Sequence, residues 1–366
     1  MIRVGCPMLE GIIRRLPRYE IPGLNVKFVD REIECKRLFY WLLKYDISWN
    51  FVVYGPWGCG KSEFFRALTW SSQEVEALHM IYFNLARELC EVSLLSRSTL
   101  KEHVISIARS LFSNYVDLVL NLYKLMEGLC KRMNLTDSRV IVIVDEIKNI
   151  IDVYGEALEY LITNAELTSR HCRAKLNIKN MNIIFITSEQ TLAERIRRYE
   201  GKSMTTLLMW HLPKNEAYQL LGELKVPKEH RDLILKVCGG CPRAMIEISK
   251  TYENNVDLWM MNVMDRVLAA IYNYMREYGR SRSEFLRELK MILEDIDEIP
   301  RLKMYDVFLK HNIILPLVQE HKRLSSLRTE GRIAYQLPIY RLCLQAMCDK
   351  GTPKITLKDI RDQLGG

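Results

Sequence analysis

The chain has 366 residues, of which 48% are hydrophobic and 27% are charged, and its formal net charge at pH 7 is +8. This length exceeds one ordinary core, so we expect two or three domains, and the composition is that of a soluble globular protein and not of a disordered chain. The mild positive charge permits contact with nucleic acid without requiring it. The sequence has no uninterrupted apolar run of membrane-spanning length, and its first residues lack the layout of a secretory signal. We therefore expect a cytoplasmic protein that does not associate with membranes.

Ten cysteines are scattered along the chain, and only Cys238 and Cys241 have a C-x-x-C spacing. A structural zinc site needs a second pair of cysteines or histidines, which the sequence does not place nearby. We therefore expect reduced, mostly buried thiols. A redox or metal role for the C-x-x-C pair stays open.

The first 24 residues contain three prolines and the basic cluster Arg14, Arg15 and Arg18. We expect an irregular arm here, either lying on the surface or binding a partner. A helix through Tyr45 follows, because apolar residues recur at helical spacing. The segment before this helix either flanks a nucleotide base or simply leads into a helix that covers a sheet.

The apolar run 51–54 leads directly into a glycine-rich stretch that ends in lysine and serine. This stretch matches G-x-x-x-x-G-K-[ST], the phosphate-binding P-loop, in which glycines let successive backbone N–H groups point at a phosphate. Lys61 would reach the β- and γ-phosphates, and Ser62 would ligate Mg²⁺. The helix that begins near Lys61 would contribute the positive end of its dipole to the phosphate site. The alternative is a glycine-rich surface turn. The residues predicted to bind nucleotide here are Gly55, Pro56, Trp57, Gly58, Cys59, Gly60, Lys61, Ser62 and Glu63.

The run 140–144 is entirely apolar and is followed by Asp145 and Glu146. Such a strand is typical of the middle of a parallel sheet, and acids at its carboxyl end lie where α/β sheets bind ligands. Together with the P-loop this is the Walker B arrangement. Asp145 would hold Mg²⁺, and Glu146 would orient and deprotonate the attacking water. The alternative is a strand that merely ends in a charged turn.

Apolar patterns predict further elements of the same domain. The predicted strands are 79–84, 181–186 and 207–212, and the predicted helices are 96–133 and 147–175. Thr187 and Ser188, which follow the strand 181–186, would contact the γ-phosphate or the attacking water. They serve equally well as an ordinary N-cap of the next helix.

From Pro213 to about residue 255 the composition is helical. The turn 238–243 contains a glycine pair, and Pro242 stands in the first turn of the next helix, which is a favourable helix start. Arg243, just inside that helix, could reach back over the nucleotide.

Residues 256–366 have a different pattern, in which three helices precede two apolar segments around a polar loop. Helix, helix, helix, hairpin is the order of a winged helix-turn-helix. The loop 321–328 would be its wing, and its basic residues would contact phosphates of double-stranded DNA through His321, Lys322, Arg323 and Arg328. This region has 18 lysines and arginines against 15 acidic residues, a small excess for a dedicated DNA-binding domain. A structural or protein-binding winged helix is the alternative.

Together these residues resemble the archaeal ATPase family, at the junction of the AAA+ and STAND nucleotide switches. The resemblance covers most of the chain. It rests on the two Walker motifs and on weaker motifs in the same order, namely Phe28-x-x-Arg31-Glu-x-Glu34, the strand ending in Thr187-Ser188, Leu212-Pro-Lys-Asn-Glu-Ala217 and Gly239-Gly-x-Pro-Arg243.

The resemblance implies an α/β P-loop core of the ASCE type with a parallel sheet. It also implies an α-helical lid and a winged helix-turn-helix after this core, with ATP bound between core and lid. In such proteins Arg31 would contribute to nucleotide binding, Pro242 would pack on the adenine, and Arg243 would act as the sensor-2 arginine.

One residue departs from the STAND pattern, because Glu189 stands where those proteins often carry an arginine after the Thr/Ser strand. Sensing of the γ-phosphate by this loop is therefore open. Arg170 and Arg173 are the candidates for an arginine finger by their position.

The sequence thus predicts an N-terminal arm (1–24), a P-loop ATPase core (25–212), a helical lid (213–255) and a winged-helix domain (256–366). The predicted function is Mg²⁺-dependent ATP binding and hydrolysis that switches the orientation of the winged helix. One alternative is an ATP-dependent DNA-binding protein similar to replication initiators or transposition ATPases, and another is a protein-interaction scaffold. The oligomeric state stays open. The predicted catalytic residues are Lys61, Glu146, Thr187, Ser188 and Arg243, and the predicted Mg²⁺ ligands are Ser62 and Asp145.

Overall fold

The computed structural model of the chain describes residues 7–29, 31–44, 49–84, 137–146, 167, 169–170, 173–175, 177–188, 204–326 and 331–365. These residues form two compact units. The core unit lies within Met1–Tyr54, Lys61–Ser188 and Leu192–Met209, and the C-terminal unit lies within Gly55–Gly60 and Trp210–Gly366. The predicted helix 96–133, most of the predicted helix 147–175, and Glu189 fall outside the described residues.

Five parallel strands form the central sheet of the core unit. They are β3 (Asn50–Tyr54), β4 (Leu78–Asn84), β5 (Arg139–Asp145), β6 (Asn180–Thr187) and β7 (Met204–Leu208). Every residue of β3, β5, β6 and β7 is buried, so strands covered on both faces explain the continuous apolar runs of the sequence. The predicted α/β fold with a parallel sheet is confirmed.

The strand order in this sheet is β4-β5-β6-β3-β7. The strand before the P-loop, β3, is therefore separated by β6 from β5, the strand that ends at Asp145. Residues at the carboxyl ends are in register, since Tyr54 pairs with Thr187 and Asn84 pairs with Asp145. The sheet thus collects the polar residues of three strands at the edge where α/β proteins bind ligands.

The N-terminal residues of the core unit differ from the expected irregular arm. Helix α1 (Pro7–Arg15) buries Leu9 and Ile12, and a short antiparallel pair follows, formed by β1 (Glu20–Ile21) and β2 (Val26–Lys27). Helices α2 (Glu32–Lys44) and α3 (Lys61–Ser71) complete the described helices of this part. The apolar side chains of α1 are removed from water on folding, and so residues 7–27 belong to the core unit.

The described residues of the C-terminal unit contain eight α-helices and one hairpin. The helices are α4 (Lys214–Glu223), α5 (Lys228–Cys238), α6 (Pro242–Ile246), α7 (Val256–Glu277), α8 (Arg282–Glu294), α9 (Met304–Lys310), α10 (Pro338–Lys350) and α11 (Leu357–Gly365). Strands β8 (Ile314–Pro316) and β9 (Ile333–Tyr335) pair antiparallel. The order of α7, α8, α9 and the β8–β9 hairpin confirms the predicted winged helix-turn-helix.

Helix starts in this unit follow the expected capping chemistry. Ser281 and Glu284 form a capping box at the start of α8, and the Asn255 side chain accepts the backbone N–H of Leu258 at 3.0 Å at the start of α7. Trp259, Phe285 and Phe308, on α7, α8 and α9, are fully buried. Within the part of the chain that the structure describes, we find no helix that combines the length and the apolar character needed to cross a membrane.

Candidate functional site

The glycine-rich loop connects β3 to α3, as the P-loop pattern predicts. Gly58 has a φ of +79°, and a Cβ atom there would lie 2.6 Å from the Cβ of Arg243. Such a contact would displace the loop, so only glycine fits this position. Pro56 and Cys59 close the turn by a backbone hydrogen bond of 3.2 Å from the Cys59 N–H to the Pro56 carbonyl.

Two predicted nucleotide-binding residues at the start of α3 have defined surroundings. Lys61 is buried, with 3% of its surface exposed, which is unusual for lysine unless its charge has a partner. The Glu63 carboxylate accepts a hydrogen bond of 2.7 Å from the Tyr19 hydroxyl and lies 3.6 Å from the Arg66 guanidinium. In this structure Glu63 therefore contacts the N-terminal residues of the core unit.

Asp145 and Glu146 stand at the end of β5, where the Walker B pattern places them. Asp145 is 2% exposed, and its Oδ1 accepts the Glu146 backbone N–H at 2.9 Å. Glu146 has a φ of +60°, a left-handed conformation that is uncommon for residues other than glycine. Unfavourable backbone conformations of this kind cluster at functional sites, which draws attention to Glu146.

Tyr82, on β4, is a site residue that the sequence reasoning missed. Its hydroxyl donates a hydrogen bond to Asp145 Oδ2. Burial and the negative charge of Asp145 raise the pKa of Tyr82 above its ordinary value, so the phenol keeps its proton. Only the strand order, which places β4 beside β5, could have pointed to this residue.

Thr187 and Ser188 follow β6, the strand between β3 and β5. Thr187 is buried and pairs with Tyr54, the last residue before the P-loop, whereas Ser188 is half-buried. This position is compatible with either predicted role, contact with the γ-phosphate or N-capping. Arg170 and Arg173 are exposed on helical residues, and their role as an arginine finger stays a prediction.

The turn before α6 has strict steric requirements in the C-terminal unit. A Cβ atom on Gly240 would lie 1.8 Å from the carbonyl oxygen of Leu212, and the Leu212 N–H donates to the Gly240 carbonyl at 2.9 Å. Pro242 begins α6, as predicted. The predicted motif Gly239-Gly-x-Pro-Arg243 is thus a tight turn held against the chain that leads into α4.

This turn also contacts the P-loop within the C-terminal unit. The Arg243 guanidinium carbon lies 3.9 Å from the ring centroid of Trp57, a cation–π contact, and the Arg243 N–H donates to the Gly58 carbonyl at 3.2 Å. The Arg243 side chain also lies 3.7 Å from Glu247. The predicted sensor-2 arginine is therefore stacked on the P-loop tryptophan.

Cys238 and Cys241 are buried, reduced thiols of the same turn. Burial raises the pKa of both, that of Cys241 to about 12, so both are protonated at neutral pH. The Cys241 thiol donates to the Gly58 carbonyl at 3.7 Å. Among the described residues no group of three metal-ligating side chains is found, and the C-x-x-C pair fits a packing role.

Gln336 is a second residue that the sequence did not single out. It follows β9, and its Oε1 accepts the Trp57 backbone N–H at 3.1 Å. Its backbone N–H donates to Ile313, its side-chain amide donates to Ile314, and its carbonyl accepts from His211. The Gln336 side chain, next to the hairpin of the winged helix, therefore accepts one backbone N–H of the P-loop and is itself fixed by further hydrogen bonds.

Arg31 forms a buried ion pair with Glu34, with a distance of 2.8 Å between the guanidinium NH1 and Oε1. Both side chains are at most 5% exposed. In this structure Arg31 thus holds the start of α2, and its predicted contact with nucleotide stays a prediction.

Residues 323–325 of the loop predicted to be a DNA-binding wing are buried. Arg323 is buried and its Nε donates to the Val318 carbonyl at 3.0 Å, so we correct its assignment as a phosphate contact. Ser325 is also buried, and its hydroxyl accepts the Trp210 N–H at 2.8 Å. His321 is exposed and Lys322 is half-buried, whereas Arg328 lies outside the described residues.

A family model described as an ATPase domain predominantly from Archaea matches residues 28–248. The match covers more than half of the chain and includes both Walker motifs, the strand ending in Thr187 and the turn before α6. The chain belongs to this archaeal ATPase family. The resemblance inferred from the motifs is confirmed, and the protein carries an ATPase domain.

Three solved structures are similar to this archaeal ATPase. The Aeropyrum pernix ORC2 protein in ADPNP–ADP complexes is 12% identical with a TM-score of 0.44, and the match covers 95% of this chain and 96% of that one. AMPPCP-bound DnaA from Aquifex aeolicus is 11% identical with a TM-score of 0.37, covering 80% and 85%. Drosophila ORC bound to DNA is 13% identical with a TM-score of 0.36, covering 100% and 93%. No curated protein matches the chain in sequence.

The residues of this ATPase fit a phosphate and a magnesium ion. Positive φ angles at Gly58 and Gly60 give the loop the turns that a backbone cradle for phosphate requires. Ser62 supplies a hydroxyl and the buried Asp145 a carboxylate, which are the oxygen ligands that Mg²⁺ prefers. When bound, the ion would neutralise charge that develops on the transferred phosphoryl group.

Proposed function

We propose that this archaeal ATPase is a Mg²⁺-dependent switch, in which the nucleotide held by the P-loop controls the winged helix. The supporting observation is the set of hydrogen bonds around the loop. The Trp57 N–H is bound to Gln336, beside the winged-helix hairpin, and the Gly58 carbonyl is bound to Arg243 in the lid turn.

A P-loop binds phosphate through its backbone N–H groups. In this structure the backbone N–H of Trp57 in the loop donates a hydrogen bond to the Gln336 side chain. A nucleotide that draws the loop towards its phosphates competes with Gln336 for this group. Gln336 follows β9 and also forms hydrogen bonds with Ile313, Ile314 and His211. Loss of its hydrogen bond to the Trp57 N–H therefore acts directly on the hairpin.

Hydrolysis is assigned to Glu146 by its position next to Asp145 and by its left-handed backbone. A carboxylate that accepts a proton from the attacking water contributes typically ~10²–10⁴-fold to the rate. The Glu146→Gln variant keeps the shape of the side chain and loses its basicity.

Turnover of the Glu146→Gln variant tests this assignment. We expect ATP hydrolysis at saturating ATP and Mg²⁺ to fall by about 100-fold or more, while ATP still binds. Glu253→Gln is a matched control, because Glu253 is an exposed glutamate that also has a left-handed φ, of +51°. Unchanged turnover in Glu146→Gln, or an equal loss in Glu253→Gln, would contradict the catalytic assignment.

A second function, DNA binding by the winged helix, is favoured by one observation. Lys303 and Lys310 are exposed at the two ends of α9, the third helix of the winged helix, which in helix-turn-helix domains enters the major groove. Since Arg323 is buried, these lysines replace the loop as the expected phosphate contacts.

Salt dependence of duplex binding tests this second function. Each phosphate contact contributes ~0.9 to the slope of log K against log salt, so Lys303→Ala/Lys310→Ala should lower the slope by roughly 2. Lys214→Ala/Lys228→Ala removes the same charge from exposed positions at the starts of α4 and α5 and should leave the slope nearly unchanged. Absence of binding at low salt, with and without ATP, would exclude DNA as a partner of this domain. A protein partner stays a prediction.

A further inference from the structure

Tyr82 stands at a defined place beside the predicted magnesium ligands. It lies on β4 and pairs with Ile143 on β5, two residues before Asp145. Because side chains alternate along a strand, Ile143 and Asp145 are on the same face, and Tyr82 is the diagonal neighbour of Asp145 on that face. The position of Tyr82 therefore follows from the register of the two strands.

The phenol of Tyr82 is bound to one of the predicted ligands, since its hydroxyl donates to Asp145 Oδ2. Tyr82 is fully buried and Asp145 nearly so. A carboxylate that is removed from water needs hydrogen-bond donors, and Asp145 receives one on each oxygen, from Tyr82 and from the Glu146 N–H.

We propose that Tyr82 is a positioning residue for the magnesium site, holding Asp145 in place for the metal of the bound nucleotide. This inference rests on the proposed Mg²⁺-dependent nucleotide binding. The groups that orient metal ligands through hydrogen bonds commonly set metal affinity as strongly as some ligands do.

The surroundings of Tyr82 suit this role. The Arg66 guanidinium carbon lies 5.4 Å from the ring centroid, a cation–π contact that fixes the ring on the side of α3. Phenylalanine at this position would keep the packing and remove only the donor.

Binding of a non-hydrolysable ATP analogue, measured by calorimetry with excess Mg²⁺ and with excess EDTA, tests the proposal without relying on turnover. The ratio of the two affinities is the gain that Mg²⁺ provides. For Tyr82→Phe we expect this gain to fall by about tenfold, while the affinity in EDTA stays that of the wild type. Tyr274→Phe is the matched control, because the Tyr274 hydroxyl is also buried and bound to a carboxylate, that of Glu288 on α8.

The possible results separate this inference from the proposed function. A wild-type protein whose affinity is equal in Mg²⁺ and EDTA overturns the proposed Mg²⁺ dependence and this inference with it. If Mg²⁺ increases the affinity of the wild type and of Tyr82→Phe equally, the role of Tyr82 is overturned, and the proposed Mg²⁺ dependence is not. Equal loss of affinity in Mg²⁺ and EDTA for Tyr82→Phe assigns the hydroxyl to the fold and overturns the positioning role. If Tyr274→Phe lowers the gain in affinity from Mg²⁺ as much as Tyr82→Phe does, the positioning role of Tyr82 is also overturned.

Discussion

Individual residues of the two Walker motifs were predictable because their chemistry depends on residue type and local spacing. The glycines at 55 and 60, the lysine at 61 and the acid pair at 145–146 are positions that the motifs define. Tyr82 and Gln336 could not be predicted this way. Their roles arise from a strand neighbour and from a partner 279 residues away in sequence, and neither relation leaves a local pattern.

The buried ion pair of Arg31 and Glu34 gives a prediction for stability. Removing one partner of a buried ion pair typically costs ~3–5 kcal/mol, because the remaining charge loses its attraction to that partner. We therefore expect Glu34→Gln to lower the free energy of unfolding by about 3 kcal/mol, measured by urea denaturation.

The same helix provides the control for this prediction. Glu32 and Lys36 also form an ion pair, but both side chains are more than 40% exposed. Glu32→Gln should change stability by less than about 1 kcal/mol, as is usual for surface pairs. Equal losses of stability in Glu34→Gln and Glu32→Gln would show that burial of the Arg31–Glu34 pair does not increase its contribution to stability.

At the scale of elements, the strands of the central sheet were predicted within one residue, except β7, which spans Met204–Leu208 and not 207–212. Helix α1 was not predicted, although Leu9, Ile12 and Leu16 have helical spacing. Pro7, Gly11 and Pro17 obscured this pattern. A proline at the first position of a helix is in fact favourable, since its missing N–H has no partner in the helix.

The start of α11 is sensitive to acid. The Asp359 carboxylate accepts from the Lys350 ammonium at 2.6 Å, and from the Thr356 N–H and hydroxyl, and these bonds lower its pKa to about 2. Because the pKa is depressed in the folded state, the contribution to stability is present above the ordinary value of 3.8 and is lost as the pH falls through about 2.

We therefore expect Asp359→Asn to lower the midpoint of urea denaturation at pH 7, and the difference from wild type to shrink below pH 4. Asp362→Asn, an exposed position on the same helix, should show no such pH-dependent difference. A difference for Asp359→Asn that is as large at pH 2.5 as at pH 7 would argue against the carboxylate as the cap of α11.

At the scale of the whole molecule, the family was readable from the sequence, because its motifs occur in the expected order along the chain. The contact of the P-loop with the winged-helix hairpin was not readable. It is nevertheless the feature on which the proposed switch depends, since it links the loop that binds phosphate to the element that would move.

Hydrogen exchange of the β8–β9 hairpin, measured by mass spectrometry in ATP and in ADP with Mg²⁺, tests the switch most directly. The Glu146→Gln background holds ATP unhydrolysed. We predict faster exchange of residues 313–337 in ATP than in ADP, because nucleotide competes with Gln336 for the Trp57 N–H. With Gln336→Ala added, the difference between the two nucleotides should disappear. Identical exchange of the hairpin in saturating ATP and ADP would contradict the coupling.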